Sequence, residues 1–406
     1  MPFLLPRLAA AVSASLRRSL CTARSRPPWA MVSTEVVLDA SAGAPSPGAR
    51  ASFDLNAAPG ASQLSVPARF VDPRGDAVDF LDGLIARRSG RGRRRPTTGR
   101  LFVCNPLSGQ LFRLPAPDLH MMHVLKLSSA TPLGLLTQSS EGSHGPPDRY
   151  VVAQLSSGRG AVVRRFLSET GQWDERPLVV PEPFALHGER QLLTDHEVLA
   201  FGDRLWWVDV SWGVCSVDPF SDRPEPRFVE LPDCSVLHPT YVGGLAGSLI
   251  LSRYRRMGFS EGKLRFIHLA STPEKTSLIG SFSLDVESCS WTLDHQIEMP
   301  EWAPRRCAPN ALRIAAMDPF KASVLYLQDD GEVYAVDMAK ARVISKSPLP
   351  DKVVCQMARH SSFVLPCVLP TYLASSYIPG IFPPLVPFLT SHNFKPCIPL
   401  EPLPEE

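Results

Sequence analysis

The sequence predicts an all-β fold of short antiparallel strands, and three observations lead to this prediction. The first is turn composition, because the 406 residues include 41 prolines and 26 glycines, which favours short elements joined by tight turns over long helices. The second is alternation: from Ala68 onward, runs of Val, Leu, Phe and Tyr are separated by Gly, Pro, Asp and Ser. The third is an internal repeat. Since 44% of the residues are hydrophobic, the chain can bury a sizeable core.

The repeat unit is a strand ending in a small polar or acidic residue, a turn, and a second strand that usually closes on Leu-Pro or Met-Pro. The copies are LFVCNPLSGQLFRLP at 101–115, VRRFLSETGQWDERPL at 163–178, VCSVDPFSDRPEPRFVELP at 214–232, FSLDVESCSWTLDHQIEMP at 282–300 and VYAVDMAKARVISKSPLP at 333–350. The equivalent points, which lie 50 to 67 residues apart, are Asn105, Ser168, Asp218, Asp285 and Asp337. A period in this range, carried by antiparallel strand pairs, predicts a β-propeller-like fold with one four-stranded blade per unit. One blade cannot bury both of its faces alone, whereas blades stacked around an axis can.

Two hairpins of the chain align without a gap, since LWWVDVSWGVCSVD at 205–218 matches VLYLQDDGEVYAVD at 324–337. In the second hairpin, residues 329–331 separate two apolar runs, and Gly331 readily takes the positive φ of a tight turn. The first hairpin is expected to turn at residues 211–213.

The N-terminal segment 1–30 predicts a mitochondrial targeting presequence. Most of its leucines fall on one arc of a helical projection, and its five arginines are accompanied by no acidic residue. A secretory signal would need a longer apolar core. Two alternatives stay open: import into a plastid, and translation from Met31, which would remove the segment and leave the protein in the cytoplasm or nucleus.

The rest of the chain divides into three parts. Residues 31–67 are rich in Ala, Ser, Gly and Pro and are expected to form a weakly structured lead-in. Residues 68–375 are assigned to the β-propeller-like domain, and residues 376–406 to a Pro-rich C-terminal tail. Residues 361–394 carry no formally charged side chain, but six prolines would break a spanning helix repeatedly, so no membrane span is expected.

Composition argues against several classes of function. Without residues 1–30, 37 basic side chains stand against 40 acidic ones, so a generally basic, nucleic-acid-coating protein is not indicated. The nine cysteines form no CxxC pair and are expected to be reduced and mostly buried. No GxSxG, P-loop or GxGxxG pattern occurs, and no cofactor is predicted.

Three segments carry a resemblance to a known family: LFVCNPLSGQLFRLP, LWWVDVSWGVCSVDPFSDRPEPRFVELP and SFVLPCVLPTYL. They resemble the plant family, expanded in grasses, that is defined by domain of unknown function sixteen-eighteen, whose blades are similar to those of F-box-associated propellers. The resemblance covers about residues 75–375. No F-box helical module precedes the repeats and the tail does not resemble the family, so a role in ubiquitin ligation would rest on fold analogy alone.

The tryptophans of LWWVDVSWG could form an aromatic cage for a cation, or they could be packing residues. Strand alternation sends Trp206 and Trp207 to opposite faces, where each can pack between neighbouring sheets, and this is the prediction. Trp212 stands at the turn, over Gly331 of the aligned copy, so it is the tryptophan expected to meet a partner. Cys215 is expected to be buried rather than nucleophilic, because its setting is apolar and no histidine is near it in sequence.

The segment RRSGRGRRRPTTGR, residues 87–100, has seven arginines in fourteen positions. It could grip RNA phosphates, but it lacks interleaved aromatic residues, so a solvated hairpin insertion that binds anions weakly is preferred. The candidate contacts are Arg91, Arg93, Arg94 and Arg95. His120 and His123 could share a helical face, but a third metal ligand is not apparent, so no metal site is predicted.

The leading hypothesis is a non-enzymatic, monomeric β-propeller-like protein that binds another protein through loops on one face. One alternative is an RNA-binding module that uses the Arg-rich segment 87–100. The other is an enzyme whose acidic residues converge on the propeller channel, since propellers of that kind exist. The acidic residues of that hypothesis are Asp209, Asp218, Asp285 and Asp337.

Overall fold

The fold is described from a computed structural model. It describes residues 26–39, 50–67, 77–81, 85–89, 101–115, 133–140, 145–156, 161–179, 192, 197–238, 250–271, 277–298, 312–329, 331–349 and 364–379. Nearly all secondary structure in these ranges is β-strand, which confirms the all-β class. Short 3-10 helices occur at Asp233–Ser235 and Thr371–Ala374. None of the helices in these ranges has the length and hydropathy that a membrane span requires.

The strands, in chain order, are β1 (Trp29–Ser33), β2 (Glu35–Asp39), β3 (Ser52–Asp54), β4 (Ala61–Pro67), β5 (Ala77–Leu81), β6 (Ile85–Ser89), β7 (Leu101–Asn105), β8 (Gln110–Arg113), β9 (Gly134–Gln138), β10 (Arg149–Ser156), β11 (Val162–Leu167), β12 (Gln172–Pro177), β13 (Glu197–Phe201), β14 (Arg204–Asp209), β15 (Gly213–Val217), β16 (Arg227–Glu230), β17 (Arg255–Ser260), β18 (Lys263–Ser271), β19 (Ser277–Asp285), β20 (Ser290–Glu298), β21 (Arg313–Met317), β22 (Val324–Asp329), β23 (Glu332–Asp337), β24 (Arg342–Pro348) and β25 (Val364–Val368).

Four sheets are built as propeller blades, each from four antiparallel strands that follow one another along the chain. They consist of β9–β12, β13–β16, β17–β20 and β21–β24. Neighbouring blades meet at their first strands, because β9 contacts β13, β13 contacts β17, and β17 contacts β21. The first strand of each blade therefore faces the axis, and the fourth strand forms the outer edge. The predicted β-propeller-like architecture is confirmed.

A larger sheet completes the arrangement, with the strand order β25-β1-β4-β2-β5-β6-β7-β8 and with β3 beside β4. Its strands β5–β8 form a further antiparallel meander. Strand β1 pairs antiparallel with β25, from Trp29 opposite Val368 to Ser33 opposite Val364, and parallel with β4. Strands from the two ends of the described chain are thus hydrogen-bonded to each other.

Buried hydrophobic clusters join these units into a ring. Each cluster combines side chains of two neighbouring units. One pair of contacting units is represented, in ring order, by each of Val103 and Val152, Val151 and Trp207, Trp206 and Leu264, Ile267 and Leu325, Tyr326 and Trp29, and Leu365 and Phe102. The ring closes at β7, because this strand contains both Val103 of the first pair and Phe102 of the last. Because each blade shares both faces with neighbours, the described units bury their apolar faces as stacked repeats do.

The five equivalent points of the sequence repeat all mark the end of the third strand of a blade. Asn105 ends β7, Ser168 follows β11, Asp218 follows β15, Asp285 ends β19 and Asp337 ends β23. At the Asn and Asp positions, the side-chain oxygen accepts a hydrogen bond from the backbone N–H two residues later, a turn that these side chains favour. The repeat is therefore the hairpin between the third and fourth strands. We call the end of the ring that carries these hairpins the turn face.

Residues 31–67 differ from the weakly structured lead-in that their composition predicted. Strands β1–β4 lie in and next to this range, and Met31 and Leu64 have 0% exposure. The composition is misleading because some of the small side chains are themselves core residues: Ser62 has 0% exposure and Ala51 has 7%. Small residues allow close approach between strands, so a low share of large apolar residues does not exclude a core here.

Residues 26–30, which the sequence placed in a presequence, also belong to the fold. Arg26 Nη2 donates a hydrogen bond to the carbonyl oxygen of Pro370 at 2.9 Å. The ring of Trp29 packs edge-on against Tyr326, with 5.4 Å between ring centroids. At the other end, Ile378 is 5% exposed, so the domain extends past residue 375, and residues 380–406 lie outside the described residues.

Candidate functional site

The two adjacent tryptophans of β14 lie on opposite faces of their blade. Trp207 has 0% exposure and belongs to a cluster with Val151 of the preceding blade. Trp206 is 2% exposed and belongs to a cluster with Leu264 of the following blade. The prediction that both pack between blades is confirmed. An aromatic cage built from this pair is excluded, because the sheet itself separates the two rings.

Trp212 is buried, contrary to the expectation that it is available to a partner. Its side chain is 4% exposed, and its ring lies 4.6 Å from that of Phe228, measured between centroids. Its indole Nε1 donates a hydrogen bond to Glu230 Oε1 at 2.9 Å. The ring therefore covers the blade's outer strand β16 instead of facing solvent.

The reason is a difference in register between the two aligned hairpins. Leu205 pairs with Val217, whereas the aligned Val324 pairs with Asp337. The first hairpin therefore turns at residues 210–212, one position earlier than predicted, and its turn is one residue longer. In the second hairpin Asp329 pairs with Glu332, so its turn lies within the predicted 329–331, and Gly331 has φ 100°. The longer turn gives Trp212 the room to fold back onto the sheet.

Two buried cysteines are held in the unreactive thiol form by their surroundings. Cys215 is buried, as predicted, and burial raises the pKa of its thiol to about 12. Burial has the same effect on Cys104, with a smaller contribution from Cys367. Since the thiolate is the nucleophilic form, these thiols are inert near neutral pH. Cys234 and Cys289 are exposed, and all five described cysteines are free.

The four acidic residues of the enzyme hypothesis do not converge on the axis. Asp218, Asp285 and Asp337 each hold the turn of a different blade, as described above. Asp209 is fully buried at the end of β14, where its Oδ1 accepts hydrogen bonds from the backbone N–H and the hydroxyl of Ser211. All four stand at or just after the ends of second or third strands, whereas the first strands face the axis.

The side chain that spans the first strands is Arg256 of β17, which is 3% exposed. Its Nη2 donates hydrogen bonds to Glu197 Oε1 of β13 at 3.0 Å and to the carbonyl oxygen of Val364 of β25 at 3.1 Å. Its Nη1 donates to the carbonyl oxygen of Ala315 of β21. One guanidinium thus joins four strands around the axis, and its charge is balanced by the carboxylate of Glu197, as a buried charge requires.

A polar cluster lies where the third blade-type sheet, β17–β20, begins. Ser235 Oγ is 2.8 Å from His268 Nδ1, and Arg255 Nη1 donates to the carbonyl oxygens of Val210 and Ser235 at 2.9 and 2.6 Å. Burial, and then the charge of Arg255, lowers the pKa of His268 to about 4. Ser235 has 0% exposure, so it is not accessible as a nucleophile. The cluster fixes Asp233–Ser235 to the blade.

A pocket opens on the turn face between β7 and the blade β9–β12. Its volume is about 30 Å³. The lining residues come from β7, from β9, from β10 and the loop before it, and from the segment that follows β25: Val103, Cys104, Asn105, Leu135, Thr137, Pro147, Tyr150, Leu373, Ser376, Tyr377, Ile378 and Pro379. Nothing in the sequence marks this pocket, because its walls come from three distant parts of the chain.

Other sequence candidates lie outside the described residues. Arg91, Arg93, Arg94 and Arg95 fall there, as do His120 and His123. Residues 87–89 of the Arg-rich segment belong to β6, which pairs antiparallel with β7. Residues 90–100 therefore connect two neighbouring strands. Within the described ranges, no three His, Cys, Asp or Glu side chains are arranged to hold a metal ion.

Comparison with known families gives a match that covers part of the chain. A family described as "Protein of unknown function (DUF1618)" matches residues 207–359. This range begins in the Trp206-Trp207 hairpin and includes the blades β17–β20 and β21–β24. The resemblance to this family is therefore confirmed over these residues. No curated protein matches the chain.

Solved structures that resemble the chain include β-propellers at low sequence identity. The β-propeller domain of Cps50 (Swd1) from Myceliophteria thermophila is 11% identical to this chain, with a TM-score of 0.33. The match covers 67% of this chain and 73% of the Cps50 chain. The WD40 domain of SCAP from fission yeast is 10% identical, with 68% and 62% covered and a TM-score of 0.29. The apocarotenoid oxygenase of Synechocystis is 11% identical, with 61% and 57% covered and a TM-score of 0.28.

Proposed function

We propose that this chain is a non-enzymatic, monomeric β-propeller-like protein that binds another protein through its turn face. The observation that carries the proposal is that the charged groups near the axis are bound to other parts of the protein. Arg256 and Glu197 are paired with each other and tie the first strands together, and the acidic residues of the enzyme hypothesis are engaged in separate turns. These groups act as structural parts, which leaves the loops for recognition, as is common where a rigid scaffold presents them.

The turn face carries exposed aromatic side chains on well-fixed segments. Phe320 is 54% exposed and follows β21, in a loop that is hydrogen-bonded to the preceding blade, β17–β20. In that loop, Glu261 accepts a hydrogen bond from the backbone N–H of Ala322 at 3.1 Å. Tyr377 is 66% exposed and lies at the pocket. Rigidly presented aromatic residues lose little conformational entropy on binding, which suits them as anchors for a partner.

The test is proximity labelling by the full chain fused to a labelling enzyme, followed by recovery of the labelled proteins. We expect Phe320→Ala and Tyr377→Ala to reduce the labelling of a partner that the unaltered chain labels. Matched controls are Leu293→Ala and Ile344→Ala, which remove side chains 48% and 45% exposed on the outer strands β20 and β24. Equal loss with the outer-strand variants, or no loss with any variant, would contradict binding through the turn face.

We also propose that the protein acts in mitochondria. The support is the acid-free, Arg-rich segment before Arg26. Because residues 26–30 are part of the fold, removal of a presequence has to leave them in place. The same labelling experiment tests this location: labelled matrix proteins are expected, plastid labelling would favour the first alternative, and exclusively cytosolic labelling would contradict the proposal.

A further inference from the structure

The tripeptide Asp-Pro-Phe occurs twice at the turn face, at residues 218–220 after β15 and at residues 318–320 after β21. In both turns the aspartate Oδ1 accepts a hydrogen bond from the backbone N–H of the phenylalanine, at 2.9 Å in the first turn and 2.8 Å in the second. This local bond fixes the backbone that carries each aromatic ring. The two turns are therefore comparable structures at the same end of the ring.

The first Asp-Pro-Phe turn holds an arginine of this chain. Arg149 Cζ lies 4.5 Å from the centroid of the Phe220 ring, and Arg149 Nη1 donates a hydrogen bond to Glu169 Oε2 at 3.1 Å. Arg149 and Glu169 both belong to the preceding blade, β9–β12. A guanidinium is attracted both by the face of an aromatic ring and by a carboxylate. This turn thus shows an arginine bound by a ring of one blade and a carboxylate of the blade before it.

The second Asp-Pro-Phe turn presents the same two groups to solvent. Glu261, which follows β17 of the preceding blade, is bonded to the chain on both sides of Phe320. Its N–H donates to the carbonyl oxygen of Pro319 at 2.9 Å, and its Oε1 accepts a hydrogen bond from the N–H of Ala322 at 3.1 Å. Glu261 is exposed, and Phe320 is 54% exposed. Among the described residues, no arginine or lysine lies over the ring of Phe320.

The charge around this pair favours a cation. In the four blades, the described connections between strands at the turn face carry nine acidic side chains, against three basic ones, Arg223, Lys321 and Lys340. An excess of negative charge attracts a cationic segment of a partner. Lys321 adjoins Phe320 and repels a second cation, so its removal tests the charge of whatever binds there.

We propose that Phe320 and Glu261 form a binding site for an arginine side chain of the partner protein, with the guanidinium over the ring of Phe320 and hydrogen-bonded to the carboxylate of Glu261. Arginine fits better than lysine, because a planar guanidinium can stack on a ring while its edge donates hydrogen bonds. That the arginine belongs to a partner protein rests on the proposed function. The preference for a guanidinium does not, because it follows from the arrangement around Phe220.

The peptide acetyl-Gly-Arg-Gly-amide serves as the probe, and saturation transfer from the full chain to the δ-methylene protons of its arginine serves as the measurement. The unaltered chain is expected to give saturable transfer. The same peptide with citrulline, a neutral group of nearly the same shape, should bind several-fold more weakly. Phe320→Leu and Glu261→Gln should each weaken binding of the arginine peptide about threefold, whereas Lys321→Ala should strengthen it.

Glu287→Gln is the matched control for Glu261→Gln. It removes one exposed negative charge from the other turn of the same blade, and it should have little effect on peptide binding. Both test variants are expected to keep the Tm of the unaltered chain, because Phe320 is exposed and the amide of Glu261→Gln can still accept the hydrogen bond from Ala322.

Equal binding of the arginine and citrulline peptides would overturn the proposal. Unchanged binding in Phe320→Leu and Glu261→Gln, or an equal loss in Glu287→Gln, would overturn it too. An arginine-specific site without a labelled partner would contradict the proposed function but not the site. Partner labelling that depends on Phe320, without arginine-specific binding of the peptide, would contradict the site and leave the proposed function in place.

Discussion

Trp207 shows how much a single side chain contributes to the contact between blades. It is fully buried among residues of two sheets, and its Nε1 has no hydrogen-bond partner among the described residues. We expect Trp207→Ala to lower the free energy of unfolding by about 3–5 kcal/mol, because it opens a large cavity. Trp207→Phe should cost less, since it also removes the unsatisfied donor. Denaturant unfolding measures both, and Trp291→Ala, at a half-buried outer position, is the control that should cost clearly less.

His268 makes stability depend on pH in a defined window. Its pKa is lowered to about 4 in the folded state, against about 6.5 when unfolded. Below pH 6.5 the unfolded chain takes up a proton that the folded chain does not, so stability falls as the pH drops towards 4, by about 1.4 kcal/mol per pH unit at most. Above that window His268 contributes no slope.

The check is the free energy of unfolding measured between pH 7 and pH 4. His268→Gln is expected to flatten the curve in this window while leaving the carboxylate-dependent loss at lower pH. His295→Gln on the outer strand β20 is the matched control for loss of an imidazole. If both variants retain the slope of the unaltered chain, the interpretation of the Ser235–His268–Arg255 cluster is incorrect.

At the scale of elements, β17 organises the axis through Arg256. We expect Arg256→Met to lower the free energy of unfolding by about 3–5 kcal/mol, because it leaves the carboxylate of Glu197 buried without its partner. Glu197→Gln should cost less, since the amide can still accept a hydrogen bond from the guanidinium. Combining Arg256→Met with Glu197→Gln should recover part of the loss, which a double-mutant cycle measures. Strictly additive losses would show that the pair is not coupled.

Elements also show how far the sequence could predict the structure. The hairpins between third and fourth strands were predictable because alternation and turn residues are local signals. The partners of Arg256 were not, since they lie 59 residues away at Glu197 and 108 at Val364. The pocket escaped prediction for the same reason, because Asn105 meets Ser376 across 271 residues. The position of Trp212 depended on a single extra residue in a turn.

At the scale of the whole molecule, closure of the ring depends on β1. This strand pairs with β25 on one side and β4 on the other, and its Trp29 and Met31 belong to the cluster shared with the blade β21–β24. Sequence composition could not predict this role, because the partner strand β25 is more than 300 residues away and antiparallel and parallel pairings leave the same local pattern. The ring is therefore specified by long-range pairing as well as by the repeat.

Two truncations separate the presequence from the closing strand. A variant that lacks residues 1–25 keeps Arg26 and all of β1, and we expect its Tm to match that of the full chain. A variant that starts at Met31 loses the Trp29–Tyr326 contact and the hydrogen bond from the N–H of Leu369 to the carbonyl of Pro28. It also places a charged amino group at a residue with 0% exposure, which is costly without a partner. We expect it to unfold at a clearly lower temperature or to aggregate, as calorimetry and size-exclusion chromatography would report. Equal Tm values for the two variants would contradict the structural role of β1 and restore Met31 as a workable start of the folded protein.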